Sequence, residues 1–170
     1  MAPVSLLREE GHAVTGFWYN PNIHPYMEYR RRLEALQQFA TAVDLPVIWR
    51  DDYDLKVHLR LTLGKGVPER CRECYRMRLT AAAEAARAGG YDAFTTSLLV
   101  SPYQQHDLLR ELGEEIGRRI GVAFLYRDYR PHYRAGRQRA AELGLYRQPY
   151  CGCVFSEKDR YLRRGGVRNA

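Results

Sequence analysis

The sequence predicts an α/β fold, a doubly wound and mostly parallel sheet of Rossmann-like plan in one domain with a helical C-terminal part. Two observations carry it. Apolar, β-branched or aromatic runs recur along the chain, and each is followed by a polar break and then by apolar residues at helical spacing. Two of these breaks share a design, because "FWYNPNIHPYMEYRRRL" and "FTTSLLVSPYQQH" both pass from a β-rich run through proline into a polar helix start. Strands alternating with helices argue for parallel pairing, and ligands in such sheets sit beyond the carboxyl ends of the strands.

In chain order, Pro3–Glu10 reads as a short helix and Ala13–Tyr19 as the first strand. Asn20, Asn22 and His24 fall just past that strand, with Pro21 and Pro25 stiffening the turn and Pro25 placed to open the next helix. Tyr26–Val43 carries Tyr29, Leu33, Leu36, Ala40 and Val43 at helical spacing, and Pro46–Trp49 is a short strand. Leu79–Ala88 is an alanine-rich helix closed by Gly89-Gly90. Ala93–Val100 reads as a strand, Gln104–Ile120 as an amphipathic helix and Val122–Tyr126 as a strand again. The domain is expected over residues 1–156, followed by a basic, loosely ordered tail over 157–170. A right-handed β-α-β unit needs a strand before its helix, yet none precedes Pro3–Glu10. The first, central strand is therefore read as missing, which would leave two neighbours with unpaired backbone groups.

At 170 residues and 45% hydrophobic, the chain can bury one full core, and it has no apolar run near the roughly eighteen residues of a membrane span. Arg8 and Glu9 interrupt the apolar N-terminal stretch, so no secretory signal is expected and the cytoplasm is the expected location. Lys and Arg number 27 against 20 Asp and Glu, and the net charge of +7 favours polyanionic partners. Arg127, Arg130, Arg134, Arg137 and Arg139 are interleaved with Tyr126, Tyr129 and Tyr133, and a second basic group runs from Lys158 to Arg168. Arginines among stacking aromatics suit RNA, so Arg134, Arg137, Tyr146, Arg147 and Gln148 are candidate RNA contacts.

The cysteines carry the most chemistry. Cys71-Arg-Glu-Cys74 precedes the helix through Leu79, and Cys151-Gly-Cys153 follows "YRQPY". In a reducing compartment C-x-x-C points to metal or redox work. A helix N-terminus with Arg70, Arg72 and Arg76 would favour the thiolate forms of Cys71 and Cys74. The glycine of C-x-C permits a tight turn, so both sulfurs can reach one metal or form a strained, easily reduced bridge. A four-cysteine structural zinc, inert buried thiols and an iron–sulfur or redox site all remain open on spacing alone.

Taken together, "FWYNPNIHPYMEYRRRLEAL", "RCRECYRMRL", "FTTSLLVSPYQQ" and "YRQPYCGC" resemble the epoxyqueuosine reductases of the QueH family, in order, from about Leu6 to Ser156. The resemblance implies a HUP (adenine nucleotide α-hydrolase-like) sheet. It also implies a reductase that removes the epoxide oxygen of epoxyqueuosine in tRNA, the last step of queuosine formation. A [4Fe-4S] cluster would be held by a Cys-Cys pair after the first strand and by the C-x-x-C, here Cys71 and Cys74. Cys151 and Cys153 would be a redox-active pair or ligands of an additional mononuclear iron. The Cys-Cys pair is absent, so the chain is read as shortened at its N-terminus and carries half of the implied cluster ligands.

Opening an epoxide to an alkene and water takes two electrons and two protons, so a second redox centre beside a one-electron cluster is useful. Of His24, Asp52, Asp54, Tyr103 and His106, all near predicted strand ends, His24 is the preferred proton donor because Pro21 and Pro25 fix its position. His106 is read as a surface or helix-cap histidine. The electron donor is not specified by the sequence. An alternative of another class is a non-catalytic, zinc-stabilised tRNA-binding domain. A nucleotide-binding enzyme rests on fold alone, since neither G-x-G-x-x-G nor a P-loop occurs.

Overall fold

The computed structural model describes residues 2–165. Its elements are α1 (Ala2–Glu9), β1 (Gly16–Trp18), α2 (Tyr26–Ala42), β2 (Val47–Trp49), α3 (Leu55–Thr62), α4 (Val67–Ala88), β3 (Ala93–Phe94), α5 (His106–Ile120), β4 (Ala123–Phe124), α6 (Tyr133–Glu142) and α7 (Val154–Gly165). Two 3-10 turns, Ser97–Val100 and Arg130–His132, complete the order. The fold is mixed α/β, and no helix among the described residues is long and apolar enough to cross a membrane.

All strand pairing is parallel, as alternation with helices predicts, but the described strands do not make one sheet. β1 pairs with β2 through Gly16–Val47, Phe17–Ile48 and Trp18–Trp49. β3 pairs with β4 through Ala93–Ala123 and Phe94–Phe124, in a second two-stranded sheet. The predicted strand Ala93–Val100 stops at Phe94 because the Thr96 hydroxyl accepts from Leu98 N at 3.2 Å and starts a 3-10 turn. The helix expected to begin at Leu79 begins twelve residues earlier, at Val67, with Pro68 in its first turn. The C-x-x-C thus lies inside α4 rather than ahead of it. α3 was not anticipated, and Asp54 caps it by accepting from Lys56 N and Val57 N at 3.0 and 3.2 Å. α7 runs across the expected boundary at 156, so ordered helix continues to Gly165; Arg168 lies outside the described residues.

The core has three clusters: Phe39, Ala40 and Leu45 form one at the end of α2, and the other two follow the two sheets. Trp18, Ile23, Tyr29 and Leu33 pack between β1 and α2. Leu79, Ala83, Phe94, Leu99, Leu109, Leu112 and Ile116 pack among α4, β3 and α5. Each fully buried leucine stabilises by roughly 1.5–3 kcal/mol, so this last cluster anchors α4 firmly. Three polar rungs, Arg72–Glu111, Arg76–Glu115 and Arg119–Thr80, keep a constant separation of 39 residues. A constant offset at four-residue steps means that α4 and α5 run parallel, one rung per turn. Gly113 lets α5 approach the Phe124 ring, which a β-carbon would meet directly.

Candidate functional site

The loops after β1, β2 and β3 all lie at the carboxyl ends of their parallel strands, and the cysteines gather there. Cys71 and Cys74 are three apart on α4 and share a face, with Tyr75 and Arg78 one turn further on. Gln104, in the loop before α5, accepts the Tyr75 hydroxyl at 2.7 Å and directs its amide at the Cys151 sulfur at 3.9 Å. The two cysteine pairs, some eighty residues apart in sequence, are thus linked through Gln104 and lie within reach of each other's charge. Charge on Cys151 or Cys153 raises the thiols of both Cys71 and Cys74.

Burial rather than charge dominates these thiols. Desolvation pushes Cys74 up to about 12 and also raises Cys71. This corrects the expectation of thiolates favoured by arginines at a helix N-terminus. α4 starts four residues before Cys71, and Arg72 and Arg76 turn away to pair with Glu111 and Glu115 on α5. Arg70 and a side-chain hydrogen bond with Gln105 pull Cys71 down, and Arg78 pulls Cys74 down. Cys151 reaches the surface, yet the surrounding chain desolvates its sulfur enough to raise it, against the lowering influence of Arg78. Cys153 stands at the start of α7, where Ser156 N donates to its sulfur at 3.4 Å. All four cysteines are unbridged, and no group of three or more His, Cys, Asp or Glu among the described residues is placed to hold a metal ion.

The C-x-C loop is held by the first corner. His24 N donates to Gly152 O at 2.7 Å, and Tyr150 donates its hydroxyl to His24 O at 2.8 Å. From α2, Arg32 donates to Cys151 O and Tyr150 O, each at 2.9 Å, and to Glu28 at 2.7 Å. Glu28 also accepts the Tyr146 hydroxyl. Arg32 and Glu28 are both buried, at 8% and 6% exposure. Sequence reading missed Arg32, whose one sign was its place four residues after Glu28, the spacing of an intrahelical ion pair.

Behind this loop lie buried polar groups. The His24 ring stands 5.5 Å from that of His58 on α3, and His24 Nδ1 faces the Tyr53 hydroxyl at 3.2 Å. His24 Nε2, both ring nitrogens of His58 and both amide atoms of Asn22 lack a hydrogen-bond partner among the described residues. Burial lowers His24 and takes His58 down to about 4, helped by the charges of His24 and Arg78. Both rings are therefore neutral at neutral pH. Asn20 accepts from Arg78 at 2.9 Å and so steadies the arginine whose charge lowers Cys74 and Cys151. His58 escaped sequence reading because its helix did.

The other candidates separate by position. Asp52 pairs with Arg50 in solvent, Asp54 is the α3 cap, and Tyr103 is 81% exposed. His106 opens α5 with Nε2 on Ser101 O at 3.1 Å, buried and just inside the Gln105 cap rather than on the surface or at the cap itself as expected. In the basic segment, Arg127, Arg130 and Arg139 are paired with Glu10, Asp128 and Glu142. Tyr129 is buried and Tyr126 half-buried, so the expected run of stacking aromatics is largely core. Arg134 and Arg137 remain on the exposed face of α6, the latter over the Tyr133 ring at 5.8 Å. Tyr146 is half-buried with its hydroxyl on Glu28, while Arg147 and Gln148 are exposed.

Known proteins are similar to this chain over most of its length. The family described as Epoxyqueuosine reductase QueH matches residues 1–159. A protein of Dehalococcoides mccartyi named Epoxyqueuosine reductase QueH is 40% identical over 154 residues, covering 91% of this chain and 84% of its own. One of the same name from Thermotoga maritima is 36% identical over 153 residues, covering 85% and 79%. Another from Helicobacter pylori is 37% identical over 159 residues, covering 87% and 43%. With four motifs in order and a match over most of its length, the chain belongs to the epoxyqueuosine reductase QueH family.

Proposed function

We propose that this chain reduces epoxyqueuosine in tRNA to queuosine, the last step of queuosine biosynthesis. The observation that carries this reading is that Cys71 and Cys74 lie within charge reach of Cys151 and Cys153, with Gln104 between Tyr75 and Cys151. In the reaction the epoxide accepts two electrons and two protons, the carbon–carbon double bond forms and the oxygen leaves as water. A low-potential one-electron donor, not yet identified, supplies the electrons.

Cysteine thiols are the donor type that iron–sulfur centres take, and Cys71 and Cys74 would supply two of the four. We assign Cys71 and Cys74 to hold a [4Fe-4S] cluster, and Cys151 and Cys153 to act as the redox-active pair or to bind a mononuclear iron. The cluster would supply electrons one at a time. The chain's own residues do the rest. Gln104 orients the Cys151 sulfur, and Arg78 places positive charge beside Cys74 and Cys151. His24 is neutral and buried, so it serves as a relay rather than as a cationic acid: a proton arriving at the half-buried Tyr53 hydroxyl can pass to Nδ1. Asn20 and Asn22 line the same corner as candidate substrate contacts, and Arg134, Arg137, Arg147 and Gln148 offer an exposed basic face to tRNA. Parallel strands with the site at their carboxyl ends support a doubly wound, HUP-like classification. A tRNA substrate and unbridged thiols support a cytoplasmic protein.

The test is iron and acid-labile sulfide per chain, with a visible spectrum, after anaerobic expression of the 170 residues and of a form lengthened by the preceding coding sequence. Broad visible absorption that Cys71→Ser removes supports the assignment. Colourless protein carrying zinc in both forms overturns it and favours a structural metal site.

A further inference from the structure

The C-x-C loop is pinned to an unusual degree. Three consecutive carbonyls, those of Tyr150, Cys151 and Gly152, accept from Arg32 Nη2, Arg32 Nη1 and His24 N at 2.9, 2.9 and 2.7 Å. The Arg32 guanidinium is in turn fixed by Glu28 at 2.7 Å and lies 5.5 Å from the centre of the Tyr150 ring. Gly152 adopts φ +128°, a backbone region that side chains avoid, and a β-carbon there would stand 3.0 Å from both Arg32 Nη1 and Ile23 Cγ1. The loop has no room to move toward α2.

Two of the pinned carbonyls belong to the peptide units between the two cysteines. A bridge from Cys151 to Cys153 closes a small ring that contains both units, so any turn of their planes during closure is opposed by the clamp. Turning them pulls Cys151 O from a buried cation and Gly152 O from the His24 N–H. Charge-assisted bonds in a desolvated setting are the ones most costly to break. The Cys153 sulfur is held as well, by Ser156 N at 3.4 Å.

We propose that the buried Arg32–Glu28 pair is a backbone clamp that holds Cys151 and Cys153 as two separate thiols and makes their disulfide unusually easy to reduce. Arg32 is thus a positioning residue for the pair rather than a catalytic one. This deepens the reading of Cys151 and Cys153 as the redox-active pair, and its test needs neither tRNA nor substrate. In the presence of oxidised glutathione, bridging joins the two sulfurs. The two electrons and two protons lost reduce one glutathione disulfide to two molecules of glutathione.

The full chain is equilibrated anaerobically in glutathione buffers of graded ratio, quenched with acid and alkylated. The bridged fraction is read by mass spectrometry on the tryptic peptide spanning residues 148–158, which contains both cysteines. The expected result is a bridging constant at least about tenfold below that of the free synthetic peptide, equivalent to about 30 mV for a two-electron couple. Arg32→Met, and the charge-neutral double variant Glu28→Gln/Arg32→Met, should recover most of that difference, with the alkylation of Cys71 unchanged. The double variant guards against misfolding from an unpaired Glu28. A wild-type constant equal to the peptide's, or variants equal to wild type, would overturn the clamp. Either result leaves the reductase reading standing, because that reading is judged by epoxyqueuosine conversion.

Discussion

Replacing Arg32 by Met removes a cation that is 8% exposed from a carboxylate that is 6% exposed. It also strips Cys151 O and Tyr150 O of their donors and leaves Glu28 with the Tyr146 hydroxyl. Breaking one side of a buried ion pair destabilises by about 3–5 kcal/mol, since the surviving charge is stranded out of water. For a chain of this size that corresponds to a fall of roughly 6–20 °C in Tm. Glu28→Gln together with Arg32→Met should recover much of the loss, because Gln still accepts the Tyr146 hydroxyl and no charge remains. The exposed pair Arg50–Asp52, at 49% and 61% exposure, is the control, and Arg50→Met should change stability by no more than about 1 kcal/mol. Urea unfolding followed by tryptophan fluorescence suits the comparison, with Trp18 buried at 5% as the probe. An Arg32→Met loss below about 1 kcal/mol, or a double variant no better than the single, would refute the reasoning that this pair is desolvated and structural.

His58 binds its proton only below about 4 when folded, against 6.5 in the unfolded chain. Below pH 6.5 the unfolded state therefore holds more protons, and stability should fall as pH drops from 6.5 to 4, by up to about 3 kcal/mol; if His58→Leu does not flatten that slope, the burial argument fails. Cys74, raised from 9.0 to about 12, should carry about a thousandfold less thiolate at pH 8 than an ordinary thiol. Alkylation of Cys74 as fast as that of a small thiol in metal-free chain would contradict this. Arg134→Glu with Arg137→Glu should weaken tRNA binding and flatten its dependence on salt by about two counterions, and an unaltered slope would move the tRNA face elsewhere. Gly113→Ala should destabilise by about 1–3 kcal/mol through its clash with Phe124, whereas a neutral result would mean that α5 can shift.

The long periodic elements were legible in the sequence. α2 and α5 begin and end within two residues of expectation, because each carries a stripe of buried apolar residues wide enough to read. Strand lengths were not, because side-chain oxygens such as Thr96 Oγ1 compete for backbone donors and cut a β-rich run short. The start of α4 was obscured by Arg and Glu around the cysteines, whose partners on α5 are invisible without the tertiary fold. Within the site, the cysteines and the Asn20–His24 corner stood out by spacing and by proline. Arg32, His58 and Arg78 did not, since their importance arises from being turned inward, and one sequence gives only weak signs of which charged residue a helix buries. The basic, tyrosine-rich segment shows the opposite error. Its composition suggested stacking on RNA, while Tyr129 and Tyr126 are spent on the core and three of its five arginines on acidic neighbours.

The most direct measurement is nucleoside analysis by mass spectrometry of tRNA bearing epoxyqueuosine, incubated anaerobically with the iron-loaded chain and a low-potential chemical reductant. The proposed function predicts that queuosine appears, and that the yield collapses in Cys71→Ser and in Cys151→Ser/Cys153→Ser while tRNA binding persists. Epoxyqueuosine left unchanged by the iron-loaded chain, or converted equally well by the cysteine variants, would contradict it.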